Sequence, residues 1–282
     1  MSSDPLSALD AIAAVVGVAL GETRHGALVL GLCGAQGSGK TTLAGALAQR
    51  FEAAGVATAI LSLDDLYRTR SERHRLARAI HPLLGTRGVP GTHDVALGLD
   101  LLAALDRGET AALPRFDKAR DDRRPSDQWD RAAPGTRLLI FEGWCVGARP
   151  QSSAELDAPI NALEREEDPD GRWRRYANDA LAGTYQALFA RIDLLVLLAA
   201  PGFETVESWR IEQERELRAR TAPGAPGVMD DTAIARFVQH YERLTRHILS
   251  DLPHRADLVI QLAPNRSVTA IRSHGLSDPA PA

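Results

Sequence analysis

The string Gly34-Ala35-Gln36-Gly37-Ser38-Gly39-Lys40-Thr41 fills the pattern G-x-x-x-x-G-K-[ST] at every fixed position. Its surroundings have the right character. Ala27–Cys33 (ALVLGLC) is a continuous apolar run, as expected for a buried strand of a parallel sheet. After Lys40, the residues Leu43, Ala44, Leu47, Ala48 and Phe51 recur at helical spacing. Val56–Leu63 then reads as a second strand. Strand, helix and strand in this order form a βαβ unit. The expected fold class is therefore α/β, an open parallel sheet flanked by helices. The loop chemistry is specific as well. Glycines let successive backbone N–H groups turn inward around phosphate oxygens, and the helix that follows adds its positive end. Lys40 is placed to reach the β- and γ-phosphates, and the Thr41 hydroxyl to reach Mg²⁺. Gly34 through Thr42, the latter opening the helix with Thr41, are the expected seat of a nucleoside triphosphate.

Composition narrows the remaining classes. At 282 residues, the chain is long enough for one large α/β domain carrying a lid or insertions. The longest apolar runs, Ala11–Leu20 and Leu194–Ala200, fall short of the ~18 residues a membrane helix needs. A formal charge of −4 gives no global field to recruit nucleic acid. The two cysteines, Cys33 and Cys145, lie in apolar strand-like contexts, which fits a reducing compartment and a cytoplasmic location. Of 33 basic residues only Lys40 and Lys118 are lysine. The N-K-x-D guanine-reading motif of a GTPase is therefore absent. The third strand, Arg137–Glu142, ends in Glu142-Gly143 and not in the acidic pair usual for motor ATPases.

In open α/β sheets, ligands bind outside the carboxyl ends of the strands. Two strands end in acid there. The second runs into Ser62-Leu63-Asp64-Asp65-Leu66-Tyr67, and the third into Phe141-Glu142-Gly143-Trp144. A phosphoryl acceptor needs a carboxylate to orient its hydroxyl, and Mg²⁺ needs hard oxygen ligands. Asp64 or Asp65 could instead cap a helix, though both cannot cap the same one. Glu142 is either a site acid or an ordinary loop acid.

These residues, with Arg87-Gly88-Val89-Pro90-Gly91-Thr92-His93-Asp94, Leu113-Pro114-Arg115-Phe116-Asp117-Lys118-Ala119 and Phe141–Gly147, resemble the P-loop type D-glycerate 3-kinases. That family is related to uridine kinase, phosphoribulokinase and the P-loop pantothenate kinases. The resemblance spans roughly Leu30 to Leu262 and implies ATP- and Mg²⁺-dependent phosphorylation of D-glycerate to 3-phosphoglycerate. It implies Asp64 as the base, with Leu66 in place of the family's phenylalanine, and Asp65 beside Thr41 and Glu142 near the metal. Tyr67 belongs to the same string. A small carboxylate substrate needs cations, and the family strings supply Arg87, Arg115 and Lys118. His93 and Asp94 open the next helix, as substrate contacts or as a structural histidine and a cap. The charged helix Phe203–Arg220 is either a solvated face or a lid closing arginines such as Arg210, Arg215 and Arg218 over the nucleotide.

Residues 1–24 read as an N-terminal helical extension, and 25–264 as a single kinase domain. Within it, insertions fall at about 113–136 and 150–171, and the lid at about 203–228. Residues 265–282 read as a loosely ordered tail. The competing readings are a kinase of another small alcohol (a nucleoside, a pantothenate-like acid or a sugar) and a non-catalytic ATP-binding regulatory module. Oligomeric state is not legible.

Overall fold

The computed structural model describes residues 7–23, 26–220 and 231–274, with backbone alone for 213–220 and 231–232. Arg215 and Arg218 of the expected lid thus lie outside the described side chains, and positions 221–228 of that lid outside the described residues.

Helix α1 (Ala8–Glu22) precedes strand β1 (Leu28–Gly34), helix α2 (Lys40–Ala53) and strand β2 (Thr58–Ser62). Helices α3 (Arg70–Ala79) and α4 (Val95–Asp106) follow. Four short strands come next: β3 (Ala111–Leu113), β4 (Phe116–Asp117), β5 (Asp122–Arg123) and β6 (Asp130–Ala132). Strand β7 (Leu138–Gly143) leads to α5 (Ala162–Glu167), α6 (Arg172–Ala180) and α7 (Gln186–Phe189). The chain continues through β8 (Leu194–Ala199), α8 (Phe203–Arg220), α9 (Asp231–Asp251), β9 (Leu258–Leu262) and β10 (Val268–Ser273).

The main sheet runs β10-β9-β8-β1-β7-β2. Its pairings are parallel except for β10, which lies antiparallel to β9. Strand β1 is central and fully buried, so its side chains divide between two cores. Leu28, Leu30 and Leu32 pack with Ile12 and Val16 of α1 and Leu47 and Phe51 of α2. Val29 and Cys33 face the opposite cluster, with Leu101 and Leu105 of α4 and Tyr241 and Ile248 of α9. Burial of each such leucine contributes about 1.5–3 kcal/mol. The chain leaves β1 in one direction to reach β7 and β2, and later returns on the other side as β8. This reversal opens a crevice at the carboxyl end of β1.

The 113–136 excursion is two short antiparallel ribbons, β3 with β6 and β4 with β5. The 150–171 stretch has no clear hydrophobic period in sequence, and its order is polar. Fully buried Glu164 takes Arg243 at 2.7 and 2.6 Å, and buried Asp168 takes Arg174 at 2.9 Å.

Two expectations need correction. The apolar spacing in Trp173–Arg191 predicts one helix, but α6 gives way to a wider π-type turn at Leu181–Tyr185 before α7. Gly183 leaves helical geometry there, at φ −90° and ψ −116°. The distortion accompanies Tyr185, whose hydroxyl accepts from the backbone N–H of Gly91 and of His93. The second correction concerns the tail. Val268–Ser273 is an edge strand, not loose chain, and the turn before it reaches the phosphate loop.

Candidate active site

The phosphate loop turns between β1 and α2 with Gly37 and Gly39 at φ +80° and +85°, conformations that favour glycine. No side chain caps α2, so its first N–H groups remain available to an anion. The loop is braced from outside. The Arg266 Nε donates to the Gly37 carbonyl at 2.8 Å, and its guanidinium lies over the Trp209 ring of α8. Trp209 in turn donates to the Pro264 carbonyl at 2.6 Å. A Cβ on Gly37 would come within 2.6 Å of the Trp209 Cβ, so glycine is also required by this packing.

Beyond β2, buried Leu63 and Leu66 anchor a single 3₁₀ turn that carries both aspartates. Neither caps a helix. Asp64 accepts from the Lys118 ammonium at 2.7 Å and from the Tyr67 hydroxyl at 2.9 Å. Burial works against its ionisation, but the charges of Lys118 and Lys40 and the hydrogen bonds from Lys118 and Tyr67 outweigh it. The Asp64 carboxyl is held well below the usual carboxylate range. Asp65 is engaged differently. Its two oxygens accept from the Phe116 N–H at 2.9 Å and the Arg115 guanidinium at 3.1 Å, and burial pushes its pKa up. Asp65 therefore joins the β4–β5 ribbon to the end of β2, and that ribbon's turn delivers Lys118 to Asp64.

Glu142, at the end of β7, is 3% exposed. One oxygen accepts from the Thr41 hydroxyl at 3.2 Å, and the other stands 4.0 Å from the Lys40 ammonium. That second oxygen is buried and has no hydrogen-bond partner among the described residues. An orphaned carboxylate oxygen beside a hydroxyl suits a hard divalent cation. The described residues hold no group of three His, Cys, Asp or Glu that could bind a metal. An ion here would take Thr41 and Glu142 together with oxygens from phosphate and water, the usual habit of Mg²⁺.

These parts share one cleft of about 340 Å³, lined by Lys40, Thr41, Asp64, Asp65, Tyr67, Arg87, Lys118 and Glu142 from the sequence reading. Gln36 and Gly37 line it from the loop, and Arg210 from α8. Ser62, Phe237 and Tyr241 also line it, and the sequence reading missed all three. Phe237 lies under the Arg210 guanidinium at 5.4 Å. Tyr241 donates to the Arg87 carbonyl at 3.1 Å and meets the Trp144 ring edge-on. The C-terminal helix has an apolar stripe at these positions, which signals burial and gives no hint of a ligand. Gly88 sits beneath Tyr241 at φ +141°, and a Cβ there would stand 2.2 Å from the Tyr241 hydroxyl. Gly88→Ala should cost about 1–3 kcal/mol in backbone strain alone. A drop of several degrees in Tm by calorimetry, together with weakened acceptor binding, is the expected result.

Three expected substrate contacts lie outside the cleft lining. His93 is 1% exposed and stacks behind Tyr67, with centroids 4.5 Å apart. Its Nδ1 lies 2.6 Å from the Tyr185 hydroxyl. That hydroxyl already accepts two backbone N–H groups and so donates to the ring. Burial pulls His93 down to about 3, so it is a neutral structural histidine. Asp94 caps α4 through the Leu97 N–H and pairs with Arg123 at 3.2 Å. Arg115 is spent between Asp65 and Asp130.

A phosphate loop opening onto a carboxylate flanked by cations defines a small-molecule phosphotransferase of the P-loop class. Residues 29–148 match the model of the phosphoribulokinase/uridine kinase family. An uncharacterized kinase, mug58, from Schizosaccharomyces pombe is 38% identical over 228 residues, covering 76% of this chain and 78% of the relative. The chain belongs to the phosphoribulokinase/uridine kinase family. It is also 30% identical over 224 residues to a chloroplastic D-glycerate 3-kinase from Arabidopsis thaliana, covering 76% of this chain and 46% of that protein. Among solved structures, D-glycerate 3-kinase from Cryptococcus neoformans var. grubii matches with a TM-score of 0.76 at 26% identity, covering 95% of this chain and all of that one. No described helix is long and apolar enough to cross a membrane.

Proposed function

We propose that the chain transfers the γ-phosphoryl group of ATP to the C3 hydroxyl of D-glycerate, giving 3-phosphoglycerate. The observation that carries this reading is the wall of the cleft beyond Lys40. There the carboxylates of Asp64 and Asp65 stand with three cations, Lys118, Arg87 and Arg210, outside the phosphate loop. An acceptor that is itself a carboxylate needs such charge, and a neutral alcohol does not. The similarity to proteins named as D-glycerate 3-kinases supports the same choice.

In this reading Gly34–Thr42 cradle the triphosphate, and Lys40 neutralises charge on the γ-phosphoryl oxygens. Thr41 and Glu142 would hold Mg²⁺, which would supply charge neutralisation to the phosphate oxygens. Asp64 accepts a hydrogen bond from the acceptor hydroxyl and takes its proton late, as the phosphoryl group arrives. Lys118 moves from Asp64 to the incoming anion, and this exchange restores basicity to Asp64. Arg87 pairs with the acceptor carboxylate. Asp65 places the β4–β5 ribbon and is not a metal ligand. Arg215 and Arg218 would close over the nucleotide from α8.

The test is ADP release with MgATP against D-glycerate, L-glycerate, uridine, pantothenate and no acceptor. Strong stimulation by D-glycerate, with phosphorus NMR showing the 3-phosphate, is the expected result. Stimulation by another alcohol alone would overturn the substrate and leave the phosphotransfer chemistry standing. ATP binding without stimulation by any of them would favour a non-catalytic module.

A further inference from the structure

Arg73 is a fully buried arginine that no ligand can reach. Its donors are already taken. The Nε donates to the Gly85 carbonyl at 3.4 Å, and Nη1 to the Arg68 carbonyl at 2.6 Å. Nη2 meets both the carbonyl and the carboxylate of Asp121, at 2.9 and 2.6 Å. Asp121 lies in the turn of the β4–β5 ribbon at φ +55°, left-handed geometry that non-glycine residues seldom adopt. In that conformation its carbonyl and its carboxylate both face Arg73. The other carboxylate oxygen then takes Nη1 of Arg87. Both guanidinium groups lie over the Phe116 ring, 5.5 and 5.6 Å from its centroid. Arg87 makes no other side-chain hydrogen bond among the described residues, and it lines the cleft.

We propose that Asp121 is a positioning residue for acceptor specificity. Anchored by buried Arg73, it holds Arg87 by one nitrogen so that the remaining donors meet an anionic acceptor in a fixed orientation. Burial of Arg73 gives the partly exposed Asp121 carboxylate one fixed partner. The backbone of Arg87 is fixed independently, by Tyr241 on its carbonyl and by Trp144 on the carbonyl of Gly88. Only the side chain remains to be aimed, and Asp121 supplies that constraint. Without it two like charges beside one aromatic ring would repel, and the more exposed Arg87 would swing away. The proposal rests on the reading of Arg87 as the partner of the acceptor carboxylate.

The experiment is a double-mutant cycle on the full chain, with Arg87→Ala, Asp121→Asn and both together. KM is measured for D-glycerate at saturating MgATP, and for ATP at saturating D-glycerate. Asp121→Asn should raise KM for D-glycerate about tenfold or more, with KM for ATP within about twofold. On the Arg87→Ala background the same change should add nothing further. An unmoved acceptor KM in Asp121→Asn, with a raised one in Arg87→Ala, overturns the positioning role alone. An acceptor KM unmoved by Arg87→Ala overturns the acceptor reading, and the proposal with it. A full Asp121→Asn effect on the Arg87→Ala background assigns Asp121 a role independent of Arg87 and overturns the proposal. If loss of the Arg73 counter-charge prevents folding, Asp121→Glu carries the test. It keeps the charge one methylene further out and should raise the acceptor KM about threefold. No change in that variant overturns the proposal.

Discussion

Asp64→Asn should lower acceptor-stimulated turnover by about 10²–10⁴-fold while leaving ATP binding largely intact. The substitution is nearly isosteric and keeps an oxygen to accept from Tyr67. It removes the negative charge that both holds Lys118 and orients the acceptor hydroxyl. The pH dependence follows from the direction of the shift. With its folded-state pKa depressed, Asp64 stays ionised across an assay range of about pH 5–9. The stability it contributes is present above the unfolded carboxylate value, near 4, and is lost only as pH falls through the depressed folded value. The wild-type kcat/KM profile should therefore show no acidic limb from Asp64 within that range. A carboxylate so strongly paired is a weak base at rest. The phosphoryl transition state asks little of a base until late, because charge resides mainly on the transferring oxygens. Orientation of the hydroxyl is then the larger demand on Asp64. Single-turnover rates with D-glycerate, beside ATP titration of the same variant, separate the two roles. Wild-type turnover in Asp64→Asn would remove Asp64 from the chemistry.

What the sequence revealed of this site, and what it hid, divides along local and non-local interactions. The phosphate loop is local: glycine conformation, the helix start, Lys40 and Thr41 lie within eight residues. The strand-end acids could be inferred because a parallel sheet aligns its carboxyl ends, which placed Asp64 and Glu142 near the loop before any coordinates. The distinction between Asp64 and Asp65 was not legible. Both sit in one short turn, and what separates them is a ribbon about 50 residues away that presents Lys118 to one and Arg115 to the other. Arg115 and Lys118 share one motif, and only the scarcity of lysine singles out Lys118. One precedes β4 and is held by Asp65 and Asp130, and the other follows it and reaches the cleft. Charge alone does not separate a cation paired outside the cleft from one paired within it. Asp121 and Arg73 were invisible for the same reason, lying 48 residues apart with no motif to join them.

The misses in the fold have equally local causes. The apolar spacing of Leu181, Tyr185, Leu188 and Phe189 continues through Gly183, so no periodicity marks the change of helix type there. Strand β10 is only half-buried, and its register shifts between Val268 and Ala270. Its alternation is correspondingly faint. The consequence reaches the site, because Arg266 in the turn before β10 braces the phosphate loop.

Lys40→Met should reduce turnover by about 10²–10³-fold or more, the scale seen when a single preorganised charge is withdrawn from a transition state. Methionine preserves much of the apolar stem, so lost packing contributes little. Lys40→Arg should not restore the rate. The ammonium lies 4.0 Å from a buried oxygen of Glu142. A planar guanidinium in that position would meet Glu142 as a fork and draw the carboxylate away from Thr41. The same contact gives the prediction a second readout. In Lys40→Met the buried Glu142 carboxylate loses the cation beside it, so binding of a divalent ion gains in relative importance. The Mg²⁺ dependence of thermal stability should steepen in the variant, even as turnover falls. Calorimetry across a Mg²⁺ titration with an unhydrolysable ATP analogue, beside steady-state rates, tests both parts. Full turnover in Lys40→Met would mean that the phosphoryl charge is neutralised elsewhere. Unchanged Mg²⁺ dependence would separate Lys40 from the Glu142 site.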